Sequence, residues 1–187
     1  MLLALKDFPP GWVHKAADPG DDPHASVPAP LERCVPPAFV GQTGRAVGGE
    51  FSDENTTLLS INPLVYVFDS EEHAQIAARA ITSEAQCFAD VIGNGLDLDR
   101  TFAFGETHTE PLSADFFGAT AAIRSFNTQV YKSENPPHSD VLVFDIVILV
   151  NGRVLSEVDG FQRHSPIDQA LLQRYVDKAR AKVRQRA

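Results

Sequence analysis

Val141-Leu142-Val143-Phe144-Asp145-Ile146-Val147-Ile148-Leu149-Val150, then Asn151-Gly152, then Arg153-Val154-Leu155-Ser156-Glu157-Val158-Asp159-Gly160-Phe161, is the stretch that decides the fold class. Two runs rich in β-branched residues, joined by Asn-Gly, predict a β-hairpin closed by a type I′ turn. A first run this apolar belongs in the interior of a sheet, buried on at least one face. Downstream, Ser165 is placed to cap a helix, with Pro166 in its first position and Asp168 completing a capping box. Ile167, Leu171, Tyr175, Ala179 and Val183 then recur at four-residue spacing as its apolar stripe. Upstream, 119–131 and 96–109 read as further strands, separated from the hairpin by the loop Ser133-Glu134-Asn135-Pro136-Pro137.

The same logic extends toward the N-terminus. Residues 57–68 predict a strand in which Pro63 marks a bulge or an edge, and 45–52 predict another. Asp69 or Ser70 caps a helix whose stripe runs Ala74, Ala77, Ile81, Ala85, Phe88, Ile92, and Gly93-Asn94-Gly95 stops it. Before residue 45, Pro9, Pro10, Pro19, Pro23, Pro28, Pro30, Pro36 and Pro37 leave little room for regular structure. Residues 1–43 are therefore expected to be an irregular arm, most of all from 14 to 43. The whole reads as one α+β domain over 1–187. It should hold an antiparallel sheet of about five to seven strands, with two long helices packed on one face.

Composition narrows the partners. The formal net charge is -9, which repels phosphate backbones and anionic lipid and argues against nucleic acid. The basic cluster from Lys178 to Arg186 suits a helix C-terminus. No run approaches the roughly 18 apolar residues of a membrane span. Met1 to Leu5 is too short for a signal-peptide core.

Catalytic motifs are sought and not found. There is no G-x-S-x-G, and Gly44, Gly48 and Gly49 fit neither phosphate-binding fingerprint. Asp97-Leu98-Asp99 begins like a calcium loop, but Phe102 and His108 stand where Gly and Glu are required. Glu106 and His108 could join His138 or Asp140 at a metal, though the spacing is not diagnostic and a solvated strand edge is the plainer reading. No cofactor is expected. Asp145 is the most suggestive single residue. Ordinary alternation puts it on the wet face. If it is buried it needs a partner, and Arg124 on a neighbouring predicted strand is the candidate, the two forming the floor of a cleft. Arg124, Asp145 and His108 are the candidate ligand-binding residues. Cys34 and Cys87 fit neither a zinc site nor a Cys-x-x-Cys redox motif. Taken alone they are either a bridge, which would contribute about 4 kcal/mol in the chain-entropy model, or two buried thiols.

Several segments carry a resemblance. Asp7-Phe8-Pro9-Pro10-Gly11-Trp12, then Val65-Tyr66-Val67-Phe68-Asp69-Ser70 leading into an Ala-rich helix with Cys87, then the Asn-Gly hairpin and closing helix, resemble landmarks of actinobacterial extracytoplasmic sensor-like domains. This family includes the outer domain of H-type mycobacterial serine/threonine protein kinases and related lipoproteins. The resemblance implies a cell-envelope location, an α+β sandwich with a cleft, and an early cysteine bridged to a mid-helix one, here Cys34 to Cys87. An oxidising compartment would favour that bridge. The chain departs from kinase-linked members in having no further Cys for a second bridge, no kinase domain and no membrane anchor. It is thus expected to be a secreted or envelope-attached relative whose signal segment is absent from this chain.

Three functions follow. The first is a non-catalytic binding or sensor-like module for an unknown small molecule or envelope component, which should show a pocket lined by apolar groups with a few polar ones. The second is a hydrolase or metal enzyme assembled from distant residues such as His108, His138 and Asp140. The third is a protein interaction module using the arm or an exposed apolar patch.

Overall fold

The computed structural model describes residues 2–17, 40–53, 59–83, 86–87, 102–131 and 138–184. In chain order the strands and long helices are β1 (Trp12–Lys15), β2 (Gln42–Val47), β3 (Glu50–Asp53), β4 (Ser60–Phe68), α1 (Glu71–Ser83), β5 (Phe102–Pro111), β6 (Ala121–Tyr131), β7 (His138–Asn151), β8 (Val154–Arg163) and α2 (Gln169–Arg184), with short helical turns at Leu5–Asp7 and Ala114–Phe117. The eight strands form one antiparallel sheet in the order β1-β3-β4-β8-β7-β6-β5, with β2 also paired to β4. That is one strand more than the upper expectation: β1 forms within the expected arm, and a second extra strand has a local reason. The segment expected as a single strand over 45–52 breaks at Gly48-Gly49. Gly49 has φ +77°, and a Cβ there would run into the backbone of Lys15 and Ala17. β2 pairs with 64–68 of β4 and β3 with 60–61, and Pro63 lies opposite the break. A residue with no N–H is tolerated there because no ladder bond is required; its carbonyl accepts from Gly48 N at 2.8 Å.

The two helices lie on opposite faces of the sheet, which corrects the expectation of one shared face. Side chains alternate along a strand, and the two buried clusters divide by that alternation. Val147 and Leu149 of β7, Val158 of β8, Ile61 of β4 and Ala122 of β6 pack with Leu172, Tyr175, Val176 and Ala179 of α2. Ile148 of β7, Leu155 of β8 and Phe68 of β4 pack with Ala74, Ala77, Ala78 and Ile81 of α1. β7 is apolar at consecutive positions because both of its faces are covered.

Capping and turn details also differ from expectation. Ser70 Oγ caps α1, accepting from His73 N at 3.2 Å. α2 is capped by Asp168, not Ser165: Asp168 Oδ1 accepts from Leu171 N at 2.8 Å, and Ser165 Oγ instead meets Gln162 at 3.1 Å. In the hairpin Asn151 pairs with Val154, so the two-residue loop is Gly152-Arg153, one position later than expected. Gly152 takes φ +55° while Arg153 does not enter positive φ, which suits a II′ rather than a I′ turn.

The start of the chain is more ordered than an irregular arm. Phe8 stacks on Trp12, Phe51 and Tyr175 with centroids 4.8, 4.4 and 4.7 Å away. Lys182 Nζ donates to Asp7 Oδ2 at 2.5 Å, and Lys178 donates to the Asp7 carbonyl. Burial alone would raise the Asp7 carboxyl, but the bonds from Lys182 and from Ala4 N outweigh it and hold it below the usual range. Most of the expected arm, together with Cys34, Ala85, Phe88, Ile92 and the 93–95 stop, lies outside the described residues.

Candidate functional site

One row of side chains crosses the α2 face of the sheet. The register joins Glu110 to Arg124, Arg124 to Asp145, Asp145 to Gly160, Gly160 to Ile61, and Ile61 to Phe51. Arg124 grips Asp145 with two bonds, Nε to Oδ1 at 2.6 Å and Nη2 to Oδ2 at 2.9 Å. Asp145 is 0% exposed and Arg124 8%. The wet-face reading of Asp145 is therefore overturned, and the partner foreseen for a buried carboxylate is the one present. The bond to Asp145 raises the Arg124 pKa further against burial, so the guanidinium stays charged. Glu110 approaches its Nη1 at 3.7 Å. His108, the third candidate, sits one row along, stacked on Phe126 at 4.5 Å. Next to the ion pair, Gly160 has no Cβ, and Ile167 occupies the space one would fill. Both carboxylate oxygens of Asp145 are engaged by Arg124, which ties β6 to β7 across this row.

The α1 face holds a second constellation that sequence reasoning missed. α1 covers the sheet around Phe68, Leu155 and Ile148. Farther along β8, the side chains on this face are Glu157, Asp159, Phe161 and Arg163. Phe161 pairs in register with Phe144 of β7, their rings 5.0 Å apart and tilted by 40°. Leu142 separates Arg163 from Asn127 of β6 in the next row. Five buried side-chain polar atoms have no hydrogen-bond partner among the described residues, and four lie on this face: Arg45 Nε, Asn127 Oδ1, Asp159 Oδ1 and Arg163 Nε. Asn127 is 2% exposed, and its amide donates to Ser125 Oγ at 3.0 Å.

Electrostatics on this face are unusual. Burial, then the charge and hydrogen bond of Glu157, hold the Asp159 carboxyl well above the ordinary 3.8. Burial likewise raises Glu157, against the Asp159 bond and the nearby Arg45. Burial and Glu157 also raise the Tyr66 phenol, over whose ring the Arg45 guanidinium sits at 5.5 Å. At the other end, Arg163 Nη1 donates to Asp140 Oδ2 at 3.4 Å.

The enzyme-like constellation is not assembled. His108 lies on the α2 face, in the row of Phe126 and Val143. Asp140 lies on the α1 face with Arg163 and His164, the latter at 3.8 Å, and His138 stacks on Tyr131 at 4.4 Å. Among the described residues no three metal-ligating side chains converge. A shallow depression of about 180 Å³ lies beside the hairpin turn, between Thr120, Asn151, Arg180 and Arg184. It is smaller than a usual ligand pocket, and Arg180 is already committed to Asp177 and the Phe117 carbonyl. No described helix is long and apolar enough to cross a membrane. Cys87 is half-buried, and because Cys34 lies outside the described residues, so does the expected bridge.

No protein-family model matches the chain, and no curated protein matches it either. Among solved structures it is similar to the extracellular domain of PknH from Mycobacterium tuberculosis, at 14% identity and a TM-score of 0.43, over 78% of this chain and 69% of that one.

Proposed function

We propose that this chain is a non-catalytic, ligand-binding, sensor-like domain of the bacterial cell envelope, and that its site is the strip of the α1 face running from Asp159 to Arg163 and across to Asn127. The observation that carries the reading is the gathering of unpartnered buried donors and acceptors on this one face. A buried polar atom left without a partner costs about 1–3 kcal/mol, so the three on this strip, Asp159 Oδ1, Arg163 Nε and Asn127 Oδ1, favour a partner from outside the chain. Around them the strip carries apolar and aromatic side chains, Leu142, Phe144 and Phe161, beside the polar ones. The envelope assignment rests on the sequence resemblance and on the proposed Cys34–Cys87 bridge.

Thermal-shift and native-mass screening of the full chain against small molecules extracted from bacterial envelopes tests the binding role. The expected outcome is a retained molecule that raises Tm, by an amount equivalent to about 2.7 kcal/mol at a hundredfold excess over Kd, and that leaves the protein chemically unchanged. Asp159→Asn or Phe161→Ala should weaken it. Conversion of the molecule into a product would replace this reading with an enzymatic one. Intact mass after alkylation without reductant tests the compartment: an unmodified mass is expected, and two alkylated thiols would remove the envelope assignment.

A further inference from the structure

We infer that the strip takes a neutral, hydroxyl-rich ligand, a short sugar chain, lying along β8 with a ring over Phe161 and Phe144. The inference rests on reading this face as the binding site, and three observations give the chemical class.

The first is the mixture of unmet bonds. Asn127 Oδ1 and Asp159 Oδ1 lack donors, while Arg163 Nε lacks an acceptor. A phosphate chain brings acceptors only and a polyamine donors only. Hydroxyls bring both. The unpartnered atoms are also spread out. Arg163 and Asp159 lie four residues apart on β8, about 13 Å, and Asn127 is two strands from Arg163, about 10 Å. An elongated molecule spans such distances and an ion does not.

The second is charge balance. Arg163 is met by Asp140, and Arg45 lies close to Glu157. Acids and bases are interspersed along the face, so no single-sign patch is present to hold a strongly charged ligand.

The third is the aromatic pair in the middle. It presents apolar ring surface, complementary to the C–H face of a sugar ring. A peptide also carries donors and acceptors, but β6, β7 and β8 are each already paired on both sides. A peptide laid on this face could add no ladder bonds, which are its usual source of affinity on a sheet.

The test is amide chemical-shift mapping on the full chain. The probes are maltotriose, cellotriose and triacetylchitotriose, with trialanine, inorganic triphosphate and spermidine as comparators. At least one trisaccharide should move the amides of Leu142, Phe144, Phe161 and Arg163, and no comparator should. Phe161→Ala should weaken that trisaccharide about tenfold, the loss expected for removing one buried aromatic contact. Phe116→Ala, at an aromatic 51% exposed away from the strip, should leave it unchanged. The mapping on the unaltered chain needs no variant to fold. If trialanine or a charged probe moves these amides and no trisaccharide does, the sugar class is wrong and the strip remains a binding site. If screening hits and all probes map elsewhere, the sugar class and the site fall together. A trisaccharide that binds Phe161→Ala undiminished also overturns the proposal.

Discussion

Asp145 and Asp159 are both carboxylates withdrawn from water, and they answer the cost of burial differently. Asp145 is met by Arg124, which supplies two short, aligned donors. Removing one partner leaves the other charged and unmet, so Arg124→Ala should lower stability by about 3–5 kcal/mol, while the double change Arg124→Met with Asp145→Leu should recover most of that loss. Urea unfolding of the three proteins checks this. A double variant as unstable as the single one would show that charge is not what the site requires. Asp159 instead faces another carboxyl, Glu157. Its carboxyl titrates near 3.8 when free and well above that when folded. Between these two values the folded chain holds a proton that the unfolded chain has released, so stability falls as pH rises through the interval. Asp159→Asn removes one of the two raised carboxyls, Glu157 being the other, so the decline of its urea midpoint above about pH 4 should be shallower than in the unaltered chain. Parallel curves for the two proteins would mean that the carboxyl titrates as if exposed.

At the scale of elements, the junction of β8 with α2 depends on a missing atom. A Cβ on Gly160 would overlap Ile167 and approach Leu172 and Ile61. Gly160→Ala should cost about 1–3 kcal/mol by overpacking, and Ile167→Val in the same chain should return part of it. A calorimetric Tm series decides this, and a neutral Gly160→Ala would show that α2 docks more loosely than described. Much of the element structure was legible beforehand. Both runs of the hairpin, β6, the apolar stripe of α1 and the Ser70 cap follow from local patterns that need no tertiary information. What escaped depended on contacts between distant segments. The break at Gly48-Gly49 is forced by the backbone of Lys15 to Ala17, far away in sequence. The opposed helices were in principle readable. A run such as Ile146-Val147-Ile148-Leu149 that does not alternate implies cover on both faces. Alternation placed Asp145 on the wet face, and its burial was not legible; Arg124 was legible only as the partner a buried carboxylate would need. The strip was not. Glu157, Asp159 and Arg163 look like ordinary wet-face residues of a hairpin until Arg45, Tyr66 and Asn127 are brought beside them.

For the whole molecule, the N-terminal segment binds the last helix to the first strands. Trp12, the one tryptophan of the chain, is 8% exposed beside Phe8 and Tyr175. Its emission therefore reports docking of that segment. Phe8→Ala should cost about 3–5 kcal/mol and shift the native emission to the red. In the unaltered chain the emission change and the far-ultraviolet circular dichroism should move together through urea unfolding. An earlier fluorescence transition would show that the segment detaches on its own.

The strand order carries a consequence for biosynthesis. β4 is flanked on one side by β2 and β3, its close neighbours in sequence, and on the other by β8, from the final quarter of the chain. A polypeptide emerging from the ribosome can assemble the first flank early, but it cannot close the sheet until residue 163 has left the exit tunnel. For most of its synthesis β4 has one bare edge. Such a nascent chain stays open for longer than one built from neighbouring hairpins. Until β8 arrives, that bare edge is open to mispairing and clumping with other nascent chains.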